Sequence, residues 1–312
     1  MDYSHLAFFP KRWEEKKADR KMFPWKGEQV VLLTPSKNYD PKVIGPFLNH
    51  LDAGWKLYAD FTDRRPRAAR MLDGLAPIAA IPDGGLTCGY GCGYVGATGI
   101  EMTDFHRGHY PKLLKNNDAV PHAYFYEMGR NYFTFGRRHD AFTTGFAVFM
   151  RYVCTDTLKT HDVDQGTRRV IDKSIQRYEE RKDLGFLQAF TNAGGLSEKQ
   201  NRLKVGPSDQ PVMYASAMLS LWKSEGDNWL RGFYRQLITC PEANSGTREG
   251  ALTQCLSWYV ASSVAANRDL GEIFVTKWRL PLTEKQKEIL SGIKWADPEL
   301  KAGEVVAKLI KS

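Results

Sequence analysis

Between Tyr124 and Phe133 the chain reads Tyr-Phe-Tyr-Glu-Met-Gly-Arg-Asn-Tyr-Phe. Phe125, Met128 and Tyr132 fall at spacings of three and four, with Phe133 beside them. They therefore share one face of a helix, and that face belongs in a core. Glu127 and Arg130 sit three apart on the same segment. A carboxylate in apolar surroundings is costly to bury unless it is paired or coordinates something. Two readings follow. Glu127 and Arg130 form a structural ion pair on a core helix, or Glu127 is the centre of a site. A second, almost wholly apolar helix is expected over Ala141–Cys154. The short turn of 137–140 should lay it against the first.

The preceding chain supplies a sheet. Gln29–Thr34 is a β-branched and apolar run closed by Pro35-Ser36, read as a buried strand. Pro41–Phe61 has helical spacing, with Asp40 as N-cap. Ala76–Ile81 is a second strand, closed by Pro-Asp-Gly-Gly. Thr87–Met102 then carries five glycines between Thr87 and Gly99. That density forbids a helix and weakens a strand, and leaves a tight loop or the edge of a cleft. Residues 1–27 read as a strap across the surface. Residues 155–210 suggest a helical pair and a long loop, a lid, around Asn192–Gly195. Val212–Trp222, Asn228–Ile238 and Ala251–Ala266 read as helices. A further helix with Phe274 and Trp278 turned inward stops at Pro281. The division expected is an N-terminal α/β part (1–120) and a helix pair with a C-terminal helical subdomain (121–312), forming one continuous unit.

The 312 residues, 42% of them hydrophobic, suffice for a sizeable core. The formal charge of +8 suits an anionic surface, but the basic residues are spread along the chain and form no nucleic-acid motif. No apolar run is long enough to span a membrane. Met1–Arg20 lacks the apolar centre of a secretory signal. The compartment is cytoplasmic on that reading, or extracellular if the chain begins after a removed signal. Five cysteines, Cys88, Cys92, Cys154, Cys240 and Cys255, argue against a fully paired framework. Cys88–Cys92 and Cys240–Cys255 are the two local pairings open. His106 and His109 are spaced to share a metal on a helix or to lie on a surface loop. His122 either caps the helix after Pro121 or stands one turn above Glu127.

Tyr126-Glu127-Met128-Gly129-Arg130 resembles the His-Glu-x-x-His frame of zincin (gluzincin) metallopeptidases, with Glu127 in the general-base position. Thr144-Gly145-Phe146-Ala147-Val148-Phe149-Met150-Arg151-Tyr152 is similar to a segment of the plant basic secretory proteins. Asp269–Thr283, with its Phe…Trp-x-x-Pro-Leu pattern, resembles the enhancin-like zinc peptidases. The resemblance implies an α+β, zincin-like fold: a small mixed sheet and active-site helix, then a mostly helical subdomain. It places the glycine-rich segment as the strand that holds extended substrate beside an interdomain cleft. The metal-ligand positions fall on Tyr126, Arg130 and Thr144, none an ordinary zinc ligand. No metal and no cofactor are expected. The implied function is a pseudopeptidase that binds an extended peptide or polysaccharide. Tyr90, Tyr94, Glu101, His122, Asn131 and Thr144 are its candidate contacts. Two alternatives stand beside it. One is a hydrolase or lyase using Glu127 as acid or base with Arg130 and Tyr126, and Glu101 or Asp104 as second carboxylate. The other is a basic protein for anionic surfaces. An arginine beside Glu127 is expected to lower its pKa and favour the base role.

Overall fold

A computed structural model describes residues 3–17, 22–81, 86–138, 140–161, 165–191, 209–244 and 246–312. The Asn192–Gly195 loop lies outside them. The chain divides into two compact units, one of 1–60, 64–134 and 150–165, the other of 61–63, 135–149 and 166–312.

The first unit is built on a five-stranded sheet in the order β1-β2-β3-β5-β4. β2 (Val30–Thr34), β3 (Ala76–Ala80) and β5 (Ile100–Met102) run parallel, while β1 (Phe23–Lys26) and β4 (Gly91–Gly93) close the two ends antiparallel. Every residue of β2 and β3 is buried. Strands covered on both faces need apolar side chains at every position, which is why both read as unbroken hydrophobic runs.

One cover is the N-terminal segment, expected as a surface strap. Tyr3, Leu6, Ala7, Trp13 and Met22 instead form a core cluster with Val31, Leu33, Ala79 and Ile81. Residues 23–26 pair as β1, a strand not anticipated because Pro24 and Lys26 break its apolar pattern. α1 (Pro10–Glu15) carries Trp13 inward, fully buried.

The helices of this unit are α2 (Pro41–Thr62), α3 (Tyr110–Lys115) and α4 (His122–Tyr132). Asp40 accepts the Lys42 N–H at 2.9 Å at the head of α2. α2 and α4 approach where Gly54 leaves room for Phe125; a Cβ there would stand 2.5 Å from the Phe125 ring. Tyr58 donates to the Phe125 carbonyl at 2.7 Å and Tyr132 to the Trp55 carbonyl at 2.9 Å. These two phenols satisfy their own buried hydroxyls while fixing α4 against α2.

The second unit is helical. α5 (Asp140–Leu158) begins in it and ends in the first unit. α6 (Gln165–Glu180), α7 (Phe186–Phe190), α8 (Gln210–Leu237), α9 (Arg248–Ala265), α10 (Glu284–Ser291) and α11 (Ala302–Leu309) follow. The two helices expected at 212–222 and 228–238 are the halves of α8, joined at Gly226 with φ +83°. Only glycine takes that conformation without strain. Phe274 and Trp278 are buried around Trp258, as the sequence suggests, on a π-helical turn (Glu272–Lys277). Cys154, Cys240 and Cys255 are free and buried, so the Cys240–Cys255 pairing is corrected; Cys88 and Cys92 are joined.

Candidate functional site

Glu127 stands in the middle of α4 with 6% of its surface exposed. β4 lies directly across it. A Cβ on Gly91 would stand 2.6 Å from Glu127 Oε1. A Cβ on Gly93 would stand 2.6 Å from the Glu127 carbonyl oxygen and 3.0 Å from Oε2. The glycines of the rich segment are thus explained at these two positions: strand and helix touch backbone to carboxylate, and any side chain would separate them.

The Gly93 N–H donates to the carboxylate and Arg130 attracts it, yet burial outweighs both and raises its pKa to about 7. The expectation of a lowered pKa beside Arg130 is therefore corrected. Desolvation of the charge costs more than one partly exposed guanidinium returns. Glu127 holds a proton at mildly acidic pH and loses it near neutrality.

Tyr126 is partly exposed, with the Arg151 guanidinium 5.9 Å above its ring, and His122 packs edge-on against Tyr152 at 6.1 Å. These contacts bring the end of α5 against α4, as the two apolar patterns predict. His122 is the first residue of α4, and the N-cap position falls on Pro121 rather than on His122. Asn131 is fully buried and donates to the carbonyls of Tyr94 at 3.0 Å and Gly99 at 3.2 Å. Its amide holds the turn after β4. Tyr94 stacks on Phe8 at 3.8 Å. Thr144 belongs to the second unit, on α5 beside Gly145, which packs against Tyr214.

Glu101 does not join Glu127. Its neighbour Met102 shares the face with Gly91 and Glu127 Oε1, and successive residues of a strand point to opposite faces. Glu101 instead accepts the Phe8 N–H at 2.7 Å under the N-terminal segment, and burial raises its pKa. Replacing it with Ala removes that acceptor from a partly buried N–H, at a cost of about 1 kcal/mol. Urea denaturation should show the loss, and limited proteolysis should show cleavage before residue 22. Unchanged stability would mean that the bond does not pin the segment.

One arrangement escaped the sequence reading. Tyr90 Oη lies 2.5 Å from His109 Nε2, and His109 Nδ1 lies 3.1 Å from Tyr124 Oη. His109 is buried and its pKa falls to about 4, so it is neutral at pH 7. The chain fixes the Tyr90 ring next to β4. The His106–His109 spacing was the signal in the sequence, and it was open to a shared metal on a helix or a surface loop. His106 bonds Tyr39 Oη at 3.2 Å instead. Among the described residues no group of three His, Cys, Asp or Glu could hold a metal ion. Tyr126, Arg130 and Thr144 do not fit zinc: a guanidinium offers no lone pair and repels the ion.

No protein-family model matches the chain, and no curated protein matches it in sequence. Solved structures do match. ZmpB metallopeptidase from Clostridium perfringens is similar at TM-score 0.54 and 17% identity, over 94% of this chain and 53% of that one. A metallopeptidase in complex with Tn antigen is similar at TM-score 0.52 and 14% identity, over 90% of this chain and 49% of that one. A mutant of a functionally unknown conserved protein from Bacillus anthracis str. Ames is similar at TM-score 0.56 and 13% identity, over 94% and 55%. The chain spans about half the length of these proteins. The likeness establishes the fold: α+β and zincin-like, with a small mixed sheet and a helical remainder.

Proposed function

We propose that this zincin-fold chain has no zinc site and binds an extended peptide or glycan along β4. The observation that carries the reading is the makeup of that strand. β4 ends the sheet, has partly exposed glycines of which Gly93 already donates its N–H to Glu127, and is bracketed by two large exposed side chains, Tyr90 (54% exposed) and Val95 (50%). An end strand can accept an extended ligand through its backbone, with flanking side chains supplying specificity. His109 holds the Tyr90 ring in place, which lowers the ordering cost of a contact. The neighbour solved with Tn antigen supports a glycan-bearing ligand. The resemblance of 144–152 and 269–283 to plant basic secretory and enhancin-like proteins fits the same reading.

A second reading, a metal-independent hydrolase, has one observation in its favour. A carboxyl with a pKa of about 7 suits a general acid. Its weakness is that Gly91 and Gly93 cover that carboxyl and Glu101 faces away.

The test is calorimetric titration with peptides and glycopeptides, a Tn-antigen glycopeptide among them, followed by mass spectrometry of the ligand and elemental analysis of the protein. Saturable binding is expected, weakened about tenfold or more by Tyr90→Ala or Val95→Asp, corresponding to about 1.4 kcal/mol. The ligand should come back intact and zinc well below one per chain. Stoichiometric zinc would sink the proposal, and so would cleavage that disappears in Glu127→Gln.

A further inference from the structure

The first unit contains a cavity of about 780 Å³ that neither Glu127 nor Tyr90 lines; Asp104 and His106, offered by the sequence as a second carboxylate and a metal ligand, line it instead. It opens at the carboxyl ends of the three parallel strands. Ser36 and Tyr39 come from the loop after β2, Ile81 from the end of β3, and Asp104, His106 and Arg107 from the segment after β5. Loops leaving the carboxyl ends of parallel strands are where such sheets place ligand sites, and the volume is that of a small-molecule site.

The donors around it are complementary to an anion. Ser36 Oγ accepts the Asn38 N–H at 3.0 Å, so its own proton remains to donate. Tyr39 Oη lies 3.2 Å from His106 Nδ1; with the phenol donating, the ring proton of His106 is on Nε2. Arg107 adds an exposed guanidinium that stays charged. The acid in the set, Asp104, also lines the cavity and opposes an anion there. Asp104 has φ +60°, and its carboxylate folds onto Gly108, where a Cβ would stand 1.9 Å from Oδ2. Its field falls on Tyr90, His109 and Tyr124. The π-helical turn Phe105–His109 fixes this disposition, with Phe105 buried as its anchor.

We propose that this cavity binds a small organic anion, a phosphate monoester or a carboxylate, through Arg107, His106 and Ser36. Ile81 and Phe105 would meet its uncharged body. The site is independent of the peptide or glycan reading and survives its failure.

Isothermal titration of the full chain at constant ionic strength tests it with glycerol 3-phosphate, L-lactate and, as uncharged control, glycerol. Saturable binding of either anion with Kd on the order of 1 mM or tighter is expected, and none of glycerol. The anion that binds identifies the chemistry. Arg107→Ala should weaken binding about tenfold or more, as loss of a charge-assisted bond does, and Arg107→Lys should restore part of it. Asp104→Asn keeps the left-handed backbone, to which Asn is suited, and removes the negative field, so it should tighten binding. Glu127→Gln should leave it unchanged. The proposal is overturned if neither anion saturates at 10 mM (roughly ten times that expected Kd), if Arg107→Ala binds like the wild type, or if Asp104→Asn abolishes binding. The last result would mean that Asp104 builds the site rather than opposing the anion.

Discussion

Gly93→Ala is expected to cost roughly 2–3 kcal/mol of folding stability or more, the range of a forced overpacking. The added methyl would stand 2.6 Å from the Glu127 carbonyl oxygen and 3.1 Å from Arg130 Cβ. Neither can retreat, because both belong to a helix fixed by Tyr58 and Tyr132. Gly91→Ala meets something softer: the Glu127 carboxylate at 2.6 Å and the Met102 sulfur at 2.9 Å. Its penalty should fall when Glu127 is also changed to Ala, whereas the Gly93→Ala penalty should not. Denaturant unfolding of the two single mutants, Glu127→Ala and both doubles measures the two couplings. Equal behaviour of the two glycine variants in the Glu127→Ala background would refute the proposed strand–helix contact.

Glu127→Gln should change how stability depends on pH. The carboxyl titrates near 4.5 when unfolded and at about 7 when folded. Below pH 4.5 both states are protonated and the proton's full contribution to stability is present. Between 4.5 and 7 the unfolded state ionises first, so folding stability falls as pH rises; above 7 the loss is complete. At 1.36 kcal/mol per pKa unit the swing is about 3 kcal/mol. The substituted amide cannot ionise, yet its carbonyl can still accept from Gly93. The variant should therefore be less pH-dependent than the wild type, and relatively more stable at pH 8 than at pH 4. Arg130→Met should move the wild-type fall to higher pH, since Arg130 is what pulls the carboxyl down. Parallel stability curves for wild type and Glu127→Gln from pH 4 to 8 would show that Glu127 is not buried in this way.

The sequence by itself determined the elements whose cause is local. β2 and β3 read correctly because strands buried on both faces need apolar residues throughout. α4 and α5 read correctly because helical period is a property of spacing alone. The zincin-like order of sheet, central helix and helical remainder was what the resemblance around Glu127 implied, and the solved structures bear out that fold. The placement of Glu127 in a core was legible from the helical spacing.

The balance of forces on Glu127 was not legible. Arg130 is visible three residues away, but the dehydration that outweighs it depends on β4 arriving from more than thirty positions earlier. The glycines announced a close approach without naming its partner. Glu101 looked available from its position in sequence, yet strand alternation turned it beneath Phe8. Tyr90, His109 and Tyr124 are 19 and 15 residues apart and share no periodicity. The cavity likewise gathers residues from the ends of three strands. Local pattern fixes which face is apolar, because it is set by backbone geometry. Which polar groups meet, and how dry they become, is set by chain crossings that only the tertiary structure makes.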